Sequence, residues 1–232
     1  MKLSQCILAL PLALAAAQLH AHGNVTPQEV DTSSMPSLGE EWLEENPWRD
    51  PSSETWQKAV DLGASAYNQN CARCHGLEVV SGGLAPDLRL LSADYDGDEW
   101  YLERYRNGMT QNGITKMPPF GILLGQETAW AIRTYVESRP EDDAFRSAQS
   151  RLVEIRAQLE AWSADGADLS GVGEQTEQLK AELLAINDAA KTASGAPKVE
   201  SAVSRAAMAL NGEASGFKTA AEQLTIGMSA AH

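Results

Sequence analysis

The residues with the clearest chemical potential lie in one short stretch, where Cys71, Cys74 and His75 form the pattern C-x-x-C-H. Two cysteines three positions apart on one helical turn can reach the two vinyl groups of a single haem. The histidine that follows is then held under the iron. The pattern therefore predicts one covalent haem c, attached through Cys71 and Cys74, with His75 as the proximal iron ligand.

Two other chemistries use paired cysteines, a thiol redox motif and a zinc site. A structural zinc site needs four ligands, and the sequence has no second cysteine pair. Beyond residue 21 the histidines are His22, His75 and His232. A thiol redox motif is expected in a βαβ context, whereas this motif ends one predicted helix and opens a loop. Haem is therefore favoured. As a new N-terminus, His22 can bind copper, although an ordinary terminus is the favoured interpretation.

The second axial ligand of the iron decides the type of haem protein. Methionine opposite histidine raises the reduction potential and gives an electron carrier, whereas an open position permits ligand binding or peroxide chemistry. Met117 and Met109 are the two candidates in range. Met117 is favoured because the two prolines that follow it stiffen the loop. Met109 follows a predicted helix end, where a packing or surface role is the alternative.

The N-terminal 21 residues have the features of a signal peptide. Lys2 precedes an apolar run over residues 7–17, which is too short to span a bilayer, and Ala21 ends an acceptable cleavage triplet. No later stretch is apolar enough for a membrane helix, so we expect a soluble exported protein, with the bacterial periplasm as its compartment. The formal net charge of -14 argues against a nucleic-acid partner.

The rest of the sequence divides into three parts. Residues 22–52 form an acidic, proline-containing arm, in which Trp42 and Trp48 are expected to lie against the neighbouring domain. Residues 53–140 contain the haem motif. Helical patterns occupy three stretches of this second part: residues 53–70, 98–107 and 126–138.

The third part, residues 141–232, has a different composition, rich in Ala, Glu, Gln and Leu. Its apolar residues alternate spacings of three and four, which is typical of helices that pack along each other. We expect an antiparallel helical hairpin or bundle, and hence an all-α protein. No recognisable chemistry lies here, so oligomerisation or docking to a partner is the hypothesis for this helical extension.

Two further groups of polar residues have ligand chemistry. Three residues of the short helix are candidates for a bond to a haem propionate: Trp100, Tyr101 and Arg104. Three aspartates at alternate positions suggest a calcium loop, although the final Glu of the EF-hand pattern is missing: Asp94, Asp96 and Asp98. For both groups ordinary core and surface roles are favoured.

The stretch from Gly63 to Tyr135 resembles a class I cytochrome c. Gly63 and Tyr67 match the N-terminal helix of that family, and three residues match its C-terminal helix: Ile132, Tyr135 and Val136. The resemblance implies that the Pro86 carbonyl accepts a hydrogen bond from His75, which would fix the tautomer of the histidine. A plain turn proline is the alternative for Pro86. The Met117-Pro118 pair matches the distal loop of the family.

A narrower resemblance covers residues 22–140 and stops near Pro140. Four stretches are similar to small periplasmic cytochromes that accept electrons from pyrroloquinoline-quinone alcohol dehydrogenases of the ethanol-oxidising type: residues 22–27, 39–42, 67–70 and 117–120. This resemblance implies a quinoprotein alcohol dehydrogenase as electron donor and a terminal oxidase or second cytochrome as acceptor.

One-electron transfer without enzymatic activity is therefore the leading functional hypothesis. The alternative is a haem protein with an open axial site that acts as a peroxidase or gas sensor. The lack of a distal histidine or another obvious acid–base group on the methionine side argues against this alternative.

Overall fold

A computed structural model describes residues 27–230 of the protein. Two long helices cross in the first half of this range. These are α1 (Glu54–Asn70) and α4 (Gly121–Glu137). A Cβ atom at Gly63 would lie 2.0 Å from the Ala131 carbonyl oxygen, so the absence of a side chain permits this close approach. The rings of Tyr67 and Tyr135 meet beside the crossing, with centroids 5.6 Å apart. The predicted signal peptide, His22 and His232 lie outside the described residues.

Shorter elements connect the two crossing helices. They are α2 (Ala72–His75), α3 (Tyr95–Asn107), β1 (Met109–Gln111), β2 (Ile114–Met117) and two 3-10 turns, Leu77–Val79 and Leu88–Leu90. The antiparallel β1–β2 hairpin was not predicted, because its mostly exposed residues show no alternation of apolar and polar side chains. Helix α3 begins three residues before the predicted start, since the Asp94 side chain accepts from the Gly97 N–H and caps it.

The described part of the N-terminal arm, residues 27–52, packs against α3 and α4. Trp48 is buried, and the ring of Trp42 lies 6.3 Å from that of Tyr105. The buried Gln126 side chain of α4 holds the arm at three points, because it donates to the carbonyl oxygens of residues 39 and 41 and accepts from the N–H of residue 43. Hydrogen bonds from a side chain thus hold this irregular segment, which has no regular backbone hydrogen-bonding pattern of its own.

The second half of the described chain is a helical bundle with its own apolar core. It comprises α5 (Asp143–Ser147), α6 (Gln149–Trp162), α7 (Gly173–Ala189), α8 (Ala202–Ala209) and α9 (Ala214–Ala230). Residues such as Leu152, Leu183 and Phe217 form its interior. The predicted all-α fold is confirmed: among residues 27–230 the two-stranded hairpin is the single sheet. None of the helices in that range combines the length and apolar character that a membrane crossing requires.

Candidate haem-binding site

The two cysteines and the histidine lie on one helical turn between α1 and the following loop. Cys71 is the C-cap of α1, and α2 begins at the next residue. The backbone N–H groups of Cys74 and His75 both donate to the Cys71 carbonyl oxygen, with N···O distances of 3.1 and 3.0 Å. This turn brings both free thiols and the imidazole to the wall of a single pocket.

That pocket holds about 1000 Å³ of space, including the part that opens to solvent. Apolar and aromatic side chains form most of its wall: Leu84, Pro86, Leu88, Tyr101, Tyr105, Phe120 and Ile132. Two methionines, Met109 and Met117, also line it. Thiols, an imidazole and thioethers around an apolar pocket are the donor set that a covalently attached haem requires. The residues present therefore fit this group.

The imidazole of His75 is held in one tautomer. Its Nδ1 atom lies 2.9 Å from the Pro86 carbonyl oxygen, which can only accept, so Nδ1 carries the proton and Nε2 keeps its lone pair. Burial lowers the pKa of His75, although the bond to Pro86 and the charge of Asp87 oppose this shift. The ring is therefore neutral at pH 7, which is the state that binds a metal ion.

The electrostatics of Cys71 disfavour a thiol redox site. Burial raises the pKa of its thiol to about 12, and the neighbouring Cys74 adds to the shift. Reactive cysteines depend on a lowered pKa, because the thiolate is the nucleophile. A zinc site is equally unsupported, since no group of three or more His, Cys, Asp or Glu side chains comes together within the described part of the chain.

The two candidate methionines lie opposite each other on the β1–β2 hairpin. Met109 and Met117 are register partners, and both line the pocket. Met117 is partly buried and packs against the main apolar core, whereas 42% of Met109 is exposed. The structure thus brings both thioethers to the site that the sequence predicted for one of them, and burial favours Met117.

Gly108 shapes the backbone that carries Met117. It adopts a left-handed conformation with φ +68°, and a Cβ atom there would lie 2.4 Å from the Met117 carbonyl oxygen and 2.8 Å from the Pro119 nitrogen. Any other residue would therefore displace the Met-Pro-Pro segment. The requirement for glycine at this helix end is steric as well as conformational.

The three candidates for a propionate contact all line the pocket, but their side chains differ in availability. The Tyr101 hydroxyl donates to the Ala129 carbonyl oxygen at 2.9 Å, so this donor is already used. Arg104 stacks over the Trp100 ring with its guanidinium carbon 5.0 Å from the centroid, and it also pairs with Glu103. Lys116, which the sequence analysis did not single out, lines the same pocket.

The calcium-loop hypothesis is wrong, because Asp98 already forms ion pairs with two arginines. Its carboxylate is completely buried between two guanidinium groups, with Arg49 Nη2 at 2.7 Å and Arg133 Nε at 2.7 Å. Asp94 caps α3 instead of facing a cation site. Arg49 comes from the arm and Arg133 from α4, so only the tertiary fold reveals this cluster.

The loop after His75 contains strained backbone that no sequence signal marked. Glu78 and Val79 both have positive φ values, +57° and +65°, and Val79 is completely buried. A β-branched residue in this region is uncommon, and each such residue costs on the order of 1–3 kcal/mol. Contacts with the rest of the protein must therefore hold this loop in place.

The chain is similar to several known proteins. A family model described as cytochrome c oxidase, cbb3-type, subunit III matches residues 58–136. Cytochrome c550 of Pseudomonas aeruginosa is 53% identical over 132 residues, which cover 57% of this chain and 90% of that protein. No solved structure shows a significant match.

More distant relatives match smaller shares of their own length. Quinohemoprotein alcohol dehydrogenase ADH IIB of Pseudomonas putida is 36% identical over 86 residues, which are 36% of this chain and 12% of the dehydrogenase. The cbb3-type cytochrome c oxidase subunit FixP of Rhizobium meliloti is 29% identical over 174 residues, which are 68% of this chain and 52% of that subunit.

A relative that is 53% identical over nearly its full length shows shared ancestry of the whole haem-containing part, and the C-x-x-C-H turn lies within the matched family region. The chain therefore belongs to the cytochrome c family, and its cofactor is covalent haem c.

Proposed function

We propose that the protein is a periplasmic one-electron carrier with a single haem attached through Cys71 and Cys74. In this proposal His75 and Met117 would hold the iron as its axial ligands, and the Pro86 carbonyl would orient His75. The bound haem iron supplies a one-electron redox couple. The observation that carries the proposal is the hydrogen bond of 2.9 Å between His75 Nδ1 and the Pro86 carbonyl oxygen, which prepares Nε2 to bind iron.

The residues around the pocket support electron transfer over catalysis. Within residues 27–230, His75 is the one histidine that lines it, and no carboxylate of that range does. Peroxide chemistry depends on an acid–base group, most often histidine, near the reacting oxygen, and the described lining offers no second histidine for this role. We therefore infer that the protein is not an enzyme.

Two substitutions test the assignment of the distal ligand. We expect Met117→Leu to abolish the weak charge-transfer band between methionine sulfur and ferric iron and to open the iron to carbon monoxide. The matched substitution Met109→Leu, on the paired strand of the same hairpin, should leave both properties unchanged. The reverse result would assign Met109 as ligand. Rapid binding of carbon monoxide by the unaltered protein would favour the open-site alternative.

We further propose a quinoprotein alcohol dehydrogenase as the electron donor and a terminal oxidase or second cytochrome as the acceptor. The similarity to parts of quinohemoprotein alcohol dehydrogenases and of a cbb3-type oxidase subunit supports such partners. Export through a signal peptide over residues 1–21 would bring the mature protein to the periplasm, where we expect these partners.

Stopped-flow reduction tests the donor directly. The oxidised full-length protein is mixed with purified quinoprotein dehydrogenases, with and without their alcohol substrate. We expect rapid reduction that depends on the alcohol. Reduction by ascorbate but by none of the dehydrogenases would reject the donor and keep the electron-carrier function.

We also propose three structural parts in the mature chain: an arm over residues 22–52, a cytochrome domain over 53–140 and a helical extension over 141–232. Two separate apolar cores support this division. The first is built around α1 and α4, and the second lies inside the bundle from α6 to α9. Val199 is an exception, because this extension residue packs into the first core.

A further inference from the structure

The loop that leaves the haem motif at His75 returns to the same side chain eleven residues later, at Pro86. At its start, the Tyr67 hydroxyl donates to the Gly76 carbonyl oxygen at 2.8 Å. At its end, the Pro86 carbonyl accepts from His75 Nδ1. The position of this loop, residues 76–86, therefore sets the geometry of the hydrogen bond that fixes the proximal imidazole.

The helical extension binds this loop at Glu78. The Glu78 carboxylate forms an ion pair with Arg205 of α8, with an N···O distance of 2.6 Å. It forms a second ion pair with Arg139, at the end of the cytochrome domain. Arg139 in turn donates to the Glu200 carbonyl oxygen of the extension at 2.8 Å. The Arg205 Nε atom is held by the Gln223 side chain of α9, so two extension helices position this guanidinium.

A second contact ties the end of the loop to the start of the extension. Arg89 is nearly buried, and its guanidinium pairs with Asp87 on one side and Asp142 on the other, at 2.6 Å each. It also donates to the Pro140 carbonyl oxygen at 3.0 Å. Asp87 follows Pro86 directly, so the carbonyl that accepts from His75 lies next to this anchored residue.

The strained backbone explains why the loop needs these anchors. Glu78 and Val79 have positive φ values, and a Cβ atom at Gly76 would lie 1.8 Å from the Val80 carbonyl oxygen. Such a conformation persists only where the surroundings over-determine it. The side chains that hold Glu78 come from residue 139 and from the extension, not from the loop itself.

We infer that the helical extension is an intramolecular clamp on the proximal haem loop, in which Arg205 and Glu78 are positioning residues for the His75–Pro86 hydrogen bond. This inference rests on the proposed role of His75 as iron ligand. A strong Nδ1–H bond increases the donor strength of the imidazole and so stabilises ferric iron. Loosening the clamp should therefore weaken that bond and shift the midpoint potential to a more positive value.

The test uses the full-length holoprotein and the single variants Arg205→Gln and Glu78→Gln, together with the double variant. In the reduced state, we expect exchange of the His75 Nδ1 proton, followed by nuclear magnetic resonance, to be about ten-fold faster in each single variant. The midpoint potential should become more positive. The double variant should match Glu78→Gln, because that single variant already removes the Arg205 contact together with the Arg139 contact.

A matched control comes from the same bundle. Arg151 of α6 also bridges two carboxylates, Glu154 and Glu182, but it makes no contact with the loop. Arg151→Gln should change the exchange rate by less than about two-fold, as expected for an exposed ion pair. Arg205→Lys, which keeps the charge and loses the forked geometry, should give an intermediate rate and replaces Arg205→Gln should that variant not fold.

Two results would overturn the clamp. One is an unchanged exchange rate and potential in Arg205→Gln and Glu78→Gln, and the other is additive effects in the double variant. A failure of the proposed haem ligation would give a different result. In that case the unaltered protein itself would lack the spectrum of an iron with histidine and methionine ligands.

Discussion

The substitution Gly63→Ala tests the helix crossing on which the haem site is built. The new Cβ atom would lie 2.0 Å from the Ala131 carbonyl oxygen and 2.9 Å from the Tyr135 Cβ atom. Ordinary contact begins at 3.4 Å, so α1 and α4 must separate by about 1.4 Å at this point. The obstacle is backbone and cannot be relieved by a rotamer change.

The expected loss of stability follows from two opposing effects. Overpacking a core costs about 1–3 kcal/mol, and a backbone obstacle places this site at the upper end. Alanine in a helix gains about 1 kcal/mol over glycine. The free energy of unfolding should therefore fall by about 2 kcal/mol, which lowers the melting temperature of a chain of this size by about 4–8 °C.

Urea unfolding followed by haem absorbance measures this effect, with Gly173→Ala as control. Gly173 is the first residue of α7, and a Cβ atom there would meet nothing within 4 Å. The control should be neutral or slightly stabilising, since only the helix propensity changes. If Gly63→Ala unfolded at the same urea concentration as the unaltered protein, the close crossing of α1 and α4 would be refuted.

Two further pairs of substitutions compare matched sites. Gly108→Ala should lower the free energy of unfolding by more than the roughly 1–2 kcal/mol that a left-handed alanine costs, and it should weaken the methionine–iron band, because its Cβ atom meets the Met117 carbonyl. Gly113 has φ +74° and open space around it, so Gly113→Ala should show only the conformational cost and leave the band intact. Equal effects on the band would contradict this reasoning. Leu183→Ala, at a completely buried site, should reduce the stability of the extension by about 2–5 kcal/mol, whereas Leu184→Ala, at a site 37% exposed, should have a much smaller effect. Urea unfolding followed by circular dichroism distinguishes the two, and similar midpoints would argue against the described bundle core.

The helices of the cytochrome part were largely predictable, because their signals are local. Ser53 accepts from the Thr55 N–H and caps α1 at the predicted start. Helix α4 begins five residues before its predicted start, at Gly121, and bends at Gly125, where φ is +71°. The sequence pattern captured only the regular portion after this bend, since a glycine inside a helix conceals the continuity of the element.

In the extension, spacing alone predicted helices that pack on each other, and the bundle follows that pattern. The apolar residues with this spacing include Phe145 and Ala148, but the structure has two helices there, α5 and α6, which meet at Ala148. The apolar spacing continues across the break, so periodicity could not detect it. The contacts between the bundle and the first half could not be predicted from the sequence either, because single ion pairs produce no periodic pattern.

The sequence by itself determined the chemistry of the haem motif, because Cys71, Cys74 and His75 lie on one turn and need no distant residue to come together. Tertiary structure alone decided what surrounds that turn. It placed both Met109 and Met117 at the pocket, and it joined Glu78 to Arg205, a residue 127 positions away. Contacts over such distances depend on how helices dock, whereas the attachment motif depends only on the local geometry of a helical turn.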